Sequence, residues 1–204
     1  MNYVMEFCGC LSSGSNGIAV NEIEAYDNQN NKCDITNIQG YDNVTWATPH
    51  YWNSGGWGKN SLIDGDTSYS STTSTFFLYN KSNLQLTHIG RISFDTDDLC
   101  KAIKVYYGTS SNDRTPKVIN LYKLKDEYKN ESLNFYTVIK YFSKYIDYYD
   151  LIESVDTTDL ERLQPITFGT VISQCSEVLK SKIIDKIKSH DLFYNIMPYD
   201  KKED

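Results

Sequence analysis

The residues of this chain best suited to holding a ligand are its three tryptophans, Trp46, Trp52 and Trp57, which fall in one stretch, WATPHYWNSGGWGKN, together with His50 and Tyr51. Indoles set among Gly, Asn and Ser belong to loops rather than to periodic elements, and an indole face on a loop is a binding surface. Trp46 follows the alternating NVTW and equally suits plugging the end of a β core. Trp52 and Trp57 are flanked by Asn53, Ser54, Gly55, Gly56 and Gly58 and read as loop. Next comes NSLIDGDTSYSS, in which Asp64, Asp66 and Thr67 surround a tight turn with oxygens. Such a turn either wraps a hard cation or caps its own backbone amides. Further on, GTSSNDRTP places Asn112, Asp113 and Arg114 in one loop, where forked donors and acceptors can read hydroxyl groups; Arg114 equally suits a loop brace.

Catalytic constellations are harder to find. His50, His88 and His190 are far apart and share no metal-ligand spacing, and there is no glycine-rich phosphate loop, nucleophile elbow or HExxH helix. Acidic pairs such as Glu22 with Glu24, or Asp97 with Asp98, are expected on a solvated strand edge or turn. The expectation is a protein that is not an enzyme, although a glycan-cleaving enzyme needs only two carboxylates. The five cysteines, Cys8, Cys10, Cys33, Cys100 and Cys175, lack metal-type spacing and read as free thiols, with Cys8 and Cys10 on one face of a strand. A net charge of −7 argues against a nucleic-acid partner. The start, MNYVMEFCGCLSSG, has neither a basic n-region nor a long apolar run, and no later run is apolar enough to span a bilayer. Synthesis in a reducing cytoplasm without a signal peptide, and no membrane insertion, are the expectations.

The elements that must position these residues are short strands. Runs at 3–10, 18–27, 76–80, 89–95, 100–108 and 116–124 alternate with Gly, Asn, Asp and Ser turns, the spacing of an antiparallel sandwich. Period-two alternation puts Ile92 and Phe94 inward in one strand and Ile103, Val105 and Tyr107 inward in another. The tyrosine-rich, β-branched run NFYTVIKYF, 134–142, favours a strand over a helix. Val178, Leu179, Ile183, Ile184 and Ile187 form one stripe of an amphipathic helix over 174–190.

Taken in order, IAVNEIEAYDNQNN, the aromatic loop, SLIDGDTSYSS, RISFD and KAIKVYYGTSSNDRTPKVINLYKL resemble the discoidin, or galactose-binding-like, domain over roughly residues 1–145. That resemblance implies a mainly β, antiparallel sandwich of discoidin-like jelly-roll type over 1–148, with a partly helical extension over 149–204. It implies a structural calcium ion at Asp64, Asp66 and Thr67. It also implies a ligand platform of His50, Tyr51, Trp52 and Trp57, with polar contacts from Asn112 and Arg114. The chain departs from the family pattern at Tyr69, where a tryptophan is common, and in having no placeable late carboxylate for the calcium shell. The expected function is non-catalytic recognition of a glycan or cell-surface polysaccharide. The expected setting is a phage virion or phage-tail-like particle, with self-association or docking to other structural proteins through the extension. A structural interaction protein without a ligand is the alternative.

Overall fold

The computed structural model describes residues 3–11, 17–43, 58–69, 75–78, 89–97, 99–108, 114–161 and 163–169. Two antiparallel five-stranded sheets form a sandwich. The first has the order β4 (Ile35–Asp42), β6 (Ile89–Thr96), β1 (Tyr3–Cys10), β8 (Pro116–Leu124), β9 (Tyr149–Asp156). In the second, β10 (Ile166–Gly169), β7 (Ala102–Tyr107), β2 (Gly17–Tyr26) and β3 (Lys32–Cys33) follow one another, and β5 (Thr75–Leu78) also pairs with β2.

The core between the sheets is built from the inward positions of both. Met5, Phe7, Ile92, Phe94, Ile119 and Leu121 meet Ile18, Val20, Ile23, Ile103, Val105 and Phe168. The expected inward sets of β6 and β7 are therefore the observed ones. β1 is buried at every position because it is central and covered on both faces. Its outer face lies under two short helices, α1 (Phe135–Lys140) and α2 (Phe142–Tyr145), which close a second core containing Val4, Tyr122, Val138, Ile139, Phe142 and Tyr149.

Those helices correct the expected strand at 134–142. Asn134 caps α1 by accepting the Thr137 N–H at 3.0 Å, and Val138, Ile139, Phe142 and Ile146 recur at helical spacing and are buried. β9 extends the first sheet beside β8, and β10 extends the second beside β7. β9 loses its alternation at a bulge opposite Leu121 and Tyr122. As a result Leu151 joins the outer core and Ile152 the inner one. The predicted helix at 174–190 lies outside the described residues.

Cys8 and Cys10 do not share a face. Gly9 adopts φ +60°, which reverses the alternation, so Cys10 enters the inner core while the Cys8 thiol points towards Glu6 on the outer face. Both are free thiols, as are Cys33 and Cys100. No helix among the described residues is long and apolar enough to cross a membrane.

Candidate functional site

Strand direction decides which loops can meet. In the first sheet, Asp42 at the end of β4 pairs with Gly90 at the start of β6, Ile89 pairs with Cys8, and Cys10 pairs with Pro116 at the start of β8. In the second, the start of β2 pairs with the end of β7 through Val20 and Tyr107; the Leu11 N–H reaches Thr115 C=O at 3.0 Å, extending the β1–β8 pairing at the end where the chain passes from β1 to β2 and from β7 to β8. One end of the sandwich thus carries the strand ends that lead into 44–57, 79–88 and 109–113.

Two anchors hold that end. Asn43 is buried, accepts the Ile89 N–H on its side-chain oxygen at 2.7 Å and donates its own N–H to Ile89 C=O at 3.1 Å. The chain therefore enters the tryptophan segment beside the start of β6. Gly108, at φ +79°, donates to Ala19 C=O at 2.8 Å and accepts from the Asn21 side chain at 2.9 Å. A Cβ at Gly108 would lie 2.7 Å from Thr115 Oγ1, a hydroxyl that can rotate aside, so it is the positive φ that favours glycine at this stem.

Of the predicted platform, His50, Tyr51, Trp52 and Trp57 lie outside the described residues, as does Asn112. Arg114 is described, half-buried, two residues before the start of β8. After Trp57 the chain is pinned: Gly58 C=O accepts both the N–H and the hydroxyl of Ser61, at 3.0 and 2.7 Å, and Leu62 is buried in the inner core.

The predicted metal residues sit just beyond that anchor. Asp64 Oδ1 accepts the Asp66 N–H at 2.8 Å, and Asp66 Oδ1 accepts the Ser68 N–H at 2.9 Å. The bond from Ser68 holds the Asp66 carboxyl below its ordinary range. The two carboxylates thus brace their own turn, while Thr67 is half-buried between them and the chain beyond. Among the described residues no group of three or more His, Cys, Asp or Glu side chains is arranged to hold a metal.

A different pair of carboxylates stands out. Glu22 and Glu24, expected on a solvated edge, are 2% and 8% exposed on the outer face of the second sheet. Glu22 follows a bulge at Asn21 that turns it outward, and its Oε1 accepts the Gly65 N–H at 3.2 Å. Burial is the main influence on its carboxyl. Together with the neighbouring charges of Asp64 and Glu24 it outweighs the Gly65 bond, pushing the pKa up to about 7. Glu24 goes the other way. Burial raises it, but Lys32 at 2.7 Å and the Tyr26 hydroxyl at 2.7 Å together more than offset that, and it stays ionised. Nothing in IAVNEIEAY signals this difference, because it depends on what packs over β2.

Two of the described thiols are held in the protonated form. Burial, reinforced by Asp97, pushes Cys33 up to about 11, and burial also raises Cys100. No family model matches the chain, and neither a curated protein nor a solved structure matches it.

Proposed function

We propose that this protein is a non-catalytic carbohydrate-recognition module whose ligand is read at the loop end of the sandwich. The observation that carries the proposal is the convergence there of the stems of 44–57, with its tryptophans, and of 109–113, which ends beside Arg114. Rigid strand ends held by Asn43 and Gly108 suit such a site, because a scaffold that keeps its loop stems in place lowers the entropy lost on binding. Indole faces cover the C–H faces of a sugar ring, and Arg114 supplies fixed donors for hydroxyls. The setting we propose is a phage virion or phage-tail-like particle, in which many copies turn a weak glycan site into firm attachment.

Tryptophan fluorescence during titration with galactose-type sugars and with bacterial cell-wall glycans tests the reading. Saturable quenching is expected. Trp52→Ala or Trp57→Ala is expected to weaken binding at least tenfold, about 1.4 kcal/mol, with Arg114→Ala weakening it less. Binding that survives both tryptophan substitutions would place the site elsewhere. A complete lack of glycan binding would favour a purely structural interaction protein.

A further inference from the structure

At the loop end the five strands of the first sheet stand in a row. Register fixes their order: Asp42 closing β4 pairs with Gly90 of β6, Ile89 with Cys8 of β1, Cys10 with Pro116 opening β8, and Val118 with Asp156 closing β9. Four spacings of about 4.8 Å separate β4 from β9, about 19 Å in all. The stem of the tryptophan segment stands at one end of this row, and Arg114 precedes the fourth strand. The turn that leaves β9 stands at the other end. A single pyranose ring is much shorter than the row.

The turn after β9 is built as firmly as the other stems. Thr157 is buried, its N–H donates to Lys117 C=O at 2.9 Å and its hydroxyl donates to Pro116 C=O, which fastens the turn to the start of β8. Asp156 Oδ1 accepts the Thr158 N–H at 2.9 Å, and the Leu160 N–H returns to Thr157 C=O at 3.2 Å. On this turn Leu160 is 43% exposed, one of three large apolar side chains so open among the described residues. A single exposed leucine is ordinary on a protein surface. What distinguishes this one is its place, on a braced turn fastened to the strand that Arg114 precedes.

We propose that the ligand is an oligosaccharide laid along this row, several sugar rings long, and that Leu160 covers the ring at its β9 end. The inference rests on the glycan reading and adds to it a substrate class, a glycan chain rather than one terminal sugar, and a specificity-determining residue. An aliphatic side chain gains by covering the C–H face of a ring, since both surfaces leave water. Arg114, just before β8, supplies donors for the hydroxyls of the neighbouring ring. Each added ring reaches a further strand end, so affinity grows with chain length until the row is filled. A chain held at the tryptophan end touches Leu160 only when it is long enough to span the sheet.

The test is an NMR titration of the full chain, isotope-labelled, with β-1,4-linked galactose oligomers and separately with β-1,4-linked N-acetylglucosamine oligomers, each of one, two, four and six units. In at least one series affinity is expected to rise at least tenfold from one unit to six, with the Leu160 amide shifting for the longer oligomers and not for the single sugar. Leu160→Ala should remove most of that rise and leave the affinity for the single sugar unchanged. Its thermal melt should match that of the parent, because the side chain lies at the surface. Affinity independent of length, a rise that Leu160→Ala leaves intact, or an equal loss at every length would overturn the extended site while leaving a single-sugar site at the loop end. No saturable shift with any member of either series would instead sink the glycan reading, and this inference with it.

Discussion

The outer faces of the two sheets each bury a glutamate on a central strand, and they treat it in opposite ways. On the first sheet, Glu6 lies in one cross-strand rung between Arg91 of β6 and Asn120 of β8. Arg91 Nε donates to Glu6 Oε2 at 2.7 Å and Asn120 Nδ2 to Oε1 at 3.1 Å. Arg91 also donates to Ile139 C=O at 2.9 Å and sits 5.3 Å from the centre of the Phe142 ring. The charge pair thereby ties β1 and β6 to both helices that cover them. On the second sheet Glu22 has, among the described residues, one backbone N–H and no cation bonded to it. A buried carboxylate whose oxygens are all used fixes a packing arrangement. One left half-satisfied remains available to a proton.

Removing the cation from the first face is the most disruptive way to test this contrast. Arg91→Met should cost about 3–5 kcal/mol in urea unfolding, because it strands Glu6 in an apolar surround. The double substitution Glu6→Leu with Arg91→Met should recover most of that loss, since replacing a buried ion pair by apolar groups is often near neutral. A double variant as unstable as Arg91→Met alone would mean that the helices depend on the arginine's other contacts rather than on the pairing.

The second face predicts the opposite sign. The Glu22 carboxyl titrates higher in the folded protein, at about 7, than the ordinary glutamate value of 4.5. The folded state therefore holds the proton more tightly. The resulting stabilisation is complete below about pH 4.5 and is lost as pH rises through about 7. Glu22→Gln should remove that slope and be the more stable form at pH 8, by at most about 3 kcal/mol. Thermal melts across pH 4.5 to 8 measure it, and parallel curves for the two proteins would show that Glu22 does not carry the dependence.

The smallest effect concerns the cover over Glu6. Asn134→Ala removes the α1 cap and should cost about 1 kcal/mol. Hydrogen exchange should rise first at the amides of α1 and α2 and leave β2 and β7 unchanged. Equal loosening of both sheets would mean that the helical layer and the inner core unfold as one unit.

Several features are legible in the residue order alone. The strands β1, β2, β6, β7 and β8 stand out because each carries an apolar run or a clean alternation bounded by turn residues. The Asp64–Asp66 turn is recognisable as a turn, and its carboxylates do the capping that an Asp-Gly sequence suggests. β4 is hidden because ITNIQGYD is largely polar and is broken by Asn37 at φ +52°. β9 is hidden because its bulge splits one strand between two cores. α1 and α2 read as strand because aromatic and β-branched residues favour strands locally, while a cap at Asn134 and burial of Val138, Ile139 and Phe142 favour the helix globally.

The two-sheet β architecture is thus written locally, since period-two burial is a property of neighbouring residues along the chain. Three things come into view only once the chain is folded. They are which loops share an end of the sandwich, that Arg91 belongs to Glu6 at a separation of 85 residues, and that Glu22 and Glu24, two positions apart on one face, hold their protons so differently. The physical reason is that strand pairing and burial are long-range. The charge state of a carboxyl depends on what packs over it, and a chain of residue types carries no record of which distant segment that will be.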